Sequence, residues 1–151
     1  MPSTTADDGP LRLELVLPHL DWKPADTITG SAILSFAGNA PTMLSGSGGG
    51  LIVFDYHEVG GNRYVDGVMT ADCRPYPLDP ATPINVSLFK SGAASGSEPD
   101  ADFLRSFFAD PQIHLPVGTW DVTAVATFYD GPGCSGRTHR MTATVRIAVA
   151  G

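Results

Sequence analysis

Two cysteines and four histidines are the side chains of this chain best suited to redox, nucleophilic or metal chemistry. Cys73 and Cys134 lie far apart, and neither sits in a CxxC or CxxCH arrangement, so thioredoxin-like exchange and haem attachment lack their motifs. The pair reads as one disulfide formed in an oxidising compartment; the alternative is two unpaired thiols. Closing a loop of that length stabilises a fold by up to about 4–5 kcal/mol in the chain-entropy view. His19, His57, His114 and His139 form no H-E-x-x-H and no closely spaced pair. The best metal set joins Cys134 to His139, five residues on, and borrows Cys73 or His57; such donors suit zinc or copper. Met141 shares a strand side with His139, as in some copper carriers, but it also begins an apolar stripe, and core packing accounts for it. No metal and no cofactor is therefore expected.

Serine chemistry also lacks its signature. Ser47, Ser95 and Ser135 are without the flanking glycines of a nucleophile elbow. Gly48-Gly49-Gly50 precedes an apolar run instead of opening a helix, so it reads as a turn and not as a phosphate cradle. Thirteen Asp residues are scattered, none in a calcium-binding loop pattern, and Asp100 with Asp102 reads as charge at a helix start. Asn85-Val86-Ser87 matches a glycosylation sequon, although Asn85 also suits the outer face of a strand. A domain this small rarely builds the carboxylate-lined cleft of a glycosidase. The chain is not expected to be an enzyme.

Sixteen acidic residues face nine basic ones, giving a formal charge of −7. Without a basic stripe, nucleic acid and anionic membranes are poor partners. No apolar run approaches the roughly 20 residues that span a bilayer. MPSTTADDGP has neither a basic nor an apolar leader region and reads as a flexible polar tail over residues 1–10, with one domain over 11–151. Such a tail is expected to hang the domain from a segment removed or anchored upstream.

The elements that must position these side chains are strands. Leu11, Leu13, Leu15 and Leu17 alternate with other residues, as do Ala32, Leu34 and Phe36. Trp120 to Phe128 and Met141 to Val149 repeat the pattern more cleanly. Successive strand side chains point to opposite faces, so period two specifies sheets with one face buried. LIVFDYHEV (51–59), RYVDGVMTADC (63–73) and PINVSLFK (83–90) supply further strands, the first two joined by a Gly60-Gly61-Asn62 hairpin. The total is about seven, or eight if Met43-Leu44 pairs locally. One segment breaks the pattern: Ser97 as N-cap, Pro99 in the first turn, and Phe103, Leu104, Phe107 and Phe108 at helical spacing predict a short helix near 98–109. Core packing is the plain reading of that stripe; a partner contact through Phe103, Phe107 and Phe108 is the sharper one.

LPVGTWDVTAVATFYDGPGCSG followed by THRMTATVRIAV resembles the final hairpin of immunoglobulin-like domains in bacterial secreted proteins and lipoproteins, with Leu115, Gly118 and Trp120 in their L-x-x-G-x-[Y/W] corner. WKPADTITGSAILSF resembles their early segment, and the bacterial intracellular proteinase inhibitor domain is a further relative in appearance. The resemblance covers about half the chain and implies an all-β, antiparallel, immunoglobulin-like sandwich. In related corners a tyrosine hydroxyl bonds back to the chain; Trp120 has only an indole N–H, so packing is expected to replace that bond. The function that follows is a non-catalytic extracytoplasmic module, secreted or in the cell envelope, that binds a protein partner or serves as structure. The alternatives are a protease inhibitor presenting the region Asp72 to Pro83, with its four prolines, and a metal or small-ligand carrier.

Overall fold

Period-two patterning becomes eleven strands in the computed structural model, which describes residues 1–151. They are β1 (Ser3–Asp8), β2 (Leu11–Val16), β3 (Asp21–Trp22), β4 (Ser31–Phe36), β5 (Thr42–Gly46), β6 (Ile52–Glu58), β7 (Tyr64–Val65), β8 (Arg74–Leu78), β9 (Ile84–Ser87), β10 (Gly118–Tyr129) and β11 (Thr138–Val149). A single helix, α1 (Ala101–Ala109), precedes β10, and one 3-10 turn (Pro132–Cys134) lies in the last hairpin. No helix is long and apolar enough to cross a membrane.

Two sheets result. The first has the order β1-β2-β4-β9. The second runs β3-β11-β10-β5-β8, with β6 also paired to β10 and β7 to β6. All pairs are antiparallel except the two-residue contact of β3 with β11. Leu13, Leu15 and Leu34 of the first sheet and Phe54, Tyr56, Trp120 and Phe128 of the second are fully buried in one core. Each such side chain contributes roughly 1.5–3 kcal/mol by leaving water, which is why the alternation holds the register.

The strand count exceeds the expected seven for identifiable reasons. Residues 3–8 are not a flexible tail: they form β1, in full register with β2 from Ser3–Val16 to Asp8–Leu11. Its polar sequence hid it, because an edge strand needs little apolar surface. Thr4 Oγ1 donates to the Thr144 carbonyl at 2.8 Å, so β1 also spans toward the opposite sheet. β8 was hidden by Pro75 and Pro77. Being two apart, they share one edge of the strand, and β5 pairs on the other. Conversely, only Tyr64 and Val65 of the segment 63–73 pair with β6.

The helix starts later than expected. Asp100, not Ser97, holds the N-cap position, and Ser97 instead bonds Ser95 Oγ at 3.0 Å. Its last turn has no basic residue; Lys90 Nζ supplies the charge from outside, donating to the Phe107 and Asp110 carbonyls at 2.5 Å each. At the corner before β10, Trp120 Nε1–H donates to the Pro116 carbonyl at 2.9 Å. The backward bond is therefore kept, with the indole as donor, where packing alone was expected. Gly118 has φ +154, and a Cβ there would lie 3.3 Å from Trp120 Nε1, so the corner requires glycine.

Candidate functional site

Beyond the core, three polar constellations and one groove stand out. The first is the disulfide: Cys73 and Cys134 are bonded, joining the start of β8 to the 3-10 turn of the last hairpin. Ser45 reinforces the same junction, donating to the Gly131 carbonyl at 2.6 Å and accepting the Cys134 N–H at 2.7 Å. A disulfide favours an oxidising, extracytoplasmic setting. It also removes both thiolates from metal chemistry, so the Cys134–His139 set cannot form.

His139 is engaged elsewhere. It continues the inward side of β11, is 6% exposed, and stacks on Phe128 with ring centroids 5.1 Å apart. Nδ1 lies 2.6 Å from Asp8 and Nε2 lies 3.0 Å from Asp130. Both partners are carboxylates, so the arrangement suits the imidazolium form, in which both ring nitrogens donate. Burial opposes that charge, but the bonds to Asp130 and Asp8 outweigh it and raise the pKa above the usual histidine value. The hydrogen bond from His139 in turn holds Asp8 and Asp130 below the usual carboxylate range. The unit clasps β1 to the last hairpin.

The third constellation is on the outer face of the second sheet. Asp55 and His57 sit two apart on β6, and Asp66 follows β7. Their ligand atoms all lie within 4.8 Å, with His57 Nε2–H donating to Asp66 at 2.6 Å. Asp55 accepts the Gly67 N–H at 2.7 Å. Gly67 lies flush on β6: a Cβ there would be 2.8 Å from Val53 and the Phe54 carbonyl. These three are the residues whose donor types could hold a divalent metal. The glycine run is not such a site. Gly48 N–H donates to Asp72 at 2.9 Å, so an internal carboxylate fills the cradle that an anion would need.

The groove lies beside α1. Val68, Leu104 and Phe108 are among its apolar lining residues, and Asp66, Glu98 and Asp100 are its acidic ones. Tyr64 and Val68 remain 49% and 53% exposed there. The walls are latched: Tyr64 N–H donates to Asp100 at 3.2 Å and Val68 N–H to Ser91 Oγ at 2.9 Å. The structure separates the three phenylalanines singled out from sequence. Phe107 is 3% exposed and packs in the core beside Tyr56. Phe103 is half-buried between Trp120 and Arg63. Only Phe108 reaches the groove.

The Tyr56 hydroxyl, which burial pushes up in pKa, donates to the Phe89 carbonyl at 3.0 Å and ties β6 to the segment after β9. No family model matches this chain, and no curated protein matches it in sequence.

Proposed function

We propose that this chain is a non-catalytic, immunoglobulin-like module of the secreted or cell-envelope space that docks a protein partner in the groove beside α1. The strand order supports the fold type. β2, β4 and β9 take the places of strands A, B and E in one sheet, and β6, β10 and β11 those of C, F and G in the other. The antibody-type bridge between strands B and F is replaced by the Cys73–Cys134 link at one end of the second sheet.

The observation that carries the docking role is that the exposed Tyr64 and Val68 line, with Phe108, a groove whose segments are tied by hydrogen bonds. Segments already tied together by hydrogen bonds have less freedom left to lose on binding. Affinity capture from envelope and culture-medium proteins of the source organism, with wild type beside Val68→Lys, tests it. Val68 is 53% exposed, so the variant is expected to fold; a partner held by wild type and lost by Val68→Lys is expected. Identical captures from the two proteins would refute docking at this groove.

Protease inhibition has one feature in its favour. The segment between β8 and β9 is an exposed tight loop, with Asp79 accepting the N–H groups of Ala81 at 2.8 Å and Thr82 at 3.0 Å. The rest of the Asp72–Pro83 region is not a free loop, because residues 74–78 form β8. A panel covering each protease class, read for tight inhibition lost on changing residues 80–82, decides that reading.

A further inference from the structure

We propose that the groove beside α1 receives one arginine side chain, carried on an extended segment of the partner; this rests on the docking role proposed above. The cavity measures about 250 Å³, room for one long side chain and not for a helix. Its lining mixes two chemistries: six hydrophobic residues, Val68, Leu104 and Phe108 among them, and the three acids Asp66, Glu98 and Asp100, with no Lys or Arg at all.

That mixture selects the occupant. An aliphatic side chain would suit the apolar lining but would strip water from three carboxylates without replacing it. A small cation would satisfy the acids and leave the apolar lining wet. A long cationic side chain does both, with its methylene stem on apolar lining and its head among the carboxylates. Arginine fits better than lysine, because a planar fork pairs with two carboxylates at once and stacks on the Phe108 ring.

The acceptors are already fixed. Asp66 is steadied by His57 at 2.6 Å and Asp100 by the Tyr64 N–H at 3.2 Å. Glu98 accepts from Ser95 Oγ at 2.7 Å and from the N–H groups of Ser95 and Gly96 at 2.9 and 3.0 Å. Each of these carboxylates has lone pairs left over for a guanidinium. The chain's charge of −7 adds attraction for a cationic partner at long range.

The test follows amide shifts of 15N-labelled protein titrated with the peptide acetyl-Gly-Ala-Arg-Ala-Gly-amide, and with the same peptide carrying citrulline, a neutral isostere. Shifts clustered at residues 64–68, 91–93 and 98–108 are expected, with citrulline at least about tenfold weaker. The double variant Asp66→Asn, Asp100→Asn, whose amides keep the neighbouring acceptor bonds, is expected to weaken the arginine peptide about tenfold, as is 0.5 M salt. Equal shifts from both peptides, or shifts scattered over the surface, would overturn the arginine assignment. If Val68→Lys still loses the captured partner in that case, docking stands and only the occupant is wrong; if it does not, both readings fall.

Discussion

Replacing His139 by Phe keeps a flat ring on Phe128 and removes both donors to Asp8 and Asp130. Hydrogen bonds to charged groups contribute roughly 1.5–3 kcal/mol each when buried. Here the two carboxylates are 30% and 41% exposed and can turn to water, so the pair is discounted toward the value of screened surface contacts. A total loss of about 2 kcal/mol follows. In a domain of this size that lowers Tm by about 4–8 °C. The pH dependence is the sharper signature. Because the folded pKa of His139 is raised, its contribution is complete below about pH 6.5 and fades as pH rises through the higher folded value. The opposite limb belongs to Asp8 and Asp130, whose lowered values make their contribution complete above about pH 4 and lost on acidification. Urea unfolding of wild type and His139→Phe at half-unit steps from pH 5 to 9 measures the size of the loss and the histidine limb. The wild-type excess should shrink with alkalinity. A difference that stays constant across that range, or a variant as stable as wild type at pH 6, refutes the clasp.

Other outcomes follow from the same geometry. Reduction, or Cys73→Ser with Cys134→Ser, frees a span of 61 residues and should cost up to about 4 kcal/mol, seen as a lower Tm with reductant in the wild type only. Trp120→Phe keeps the corner ring but loses the bond to Pro116, for a decrease of about 1 kcal/mol in chemical denaturation. Phe107→Asp should prevent folding, whereas Phe108→Asp should retain the wild-type circular dichroism; the reverse order would contradict their placement. Deleting residues 2–8 should destabilise the domain and raise dye binding to exposed apolar surface; an unchanged melt would mean that β1 contributes nothing.

The sheets were legible where one face is buried, because burial forces strict alternation. Met141, Ala143, Val145, Ile147 and Val149 could be assigned to one side of β11 before any coordinates, and all are buried. β1 was illegible because Ser3 to Asp8 offer no apolar stripe, and β8 because proline argues against a strand unless its position at an edge is known. The helix start is hard to read because Ser97, the better capping side chain, is spent on a local turn in which Ser95 bonds both it and Glu98. The clasp joins Asp8 to His139 across 131 positions, a pairing that only folding creates. One signal was present: His139 extends the inward side of β11, and a polar ring in an apolar row needs partners. The groove is assembled from residues 64–68, 91–100 and the outer side of α1, so no single stretch could announce it.

Pro75 and Pro77 carry a consequence for how copies of this protein meet. A strand added outside β8 would look for amide hydrogens at those two positions and find ring carbons. That margin of the sheet resists being continued by a neighbour, even in crowded solution. Recognition on this side of the molecule must then be written in side chains, and fibre growth by stacking strand on strand has no starting point there.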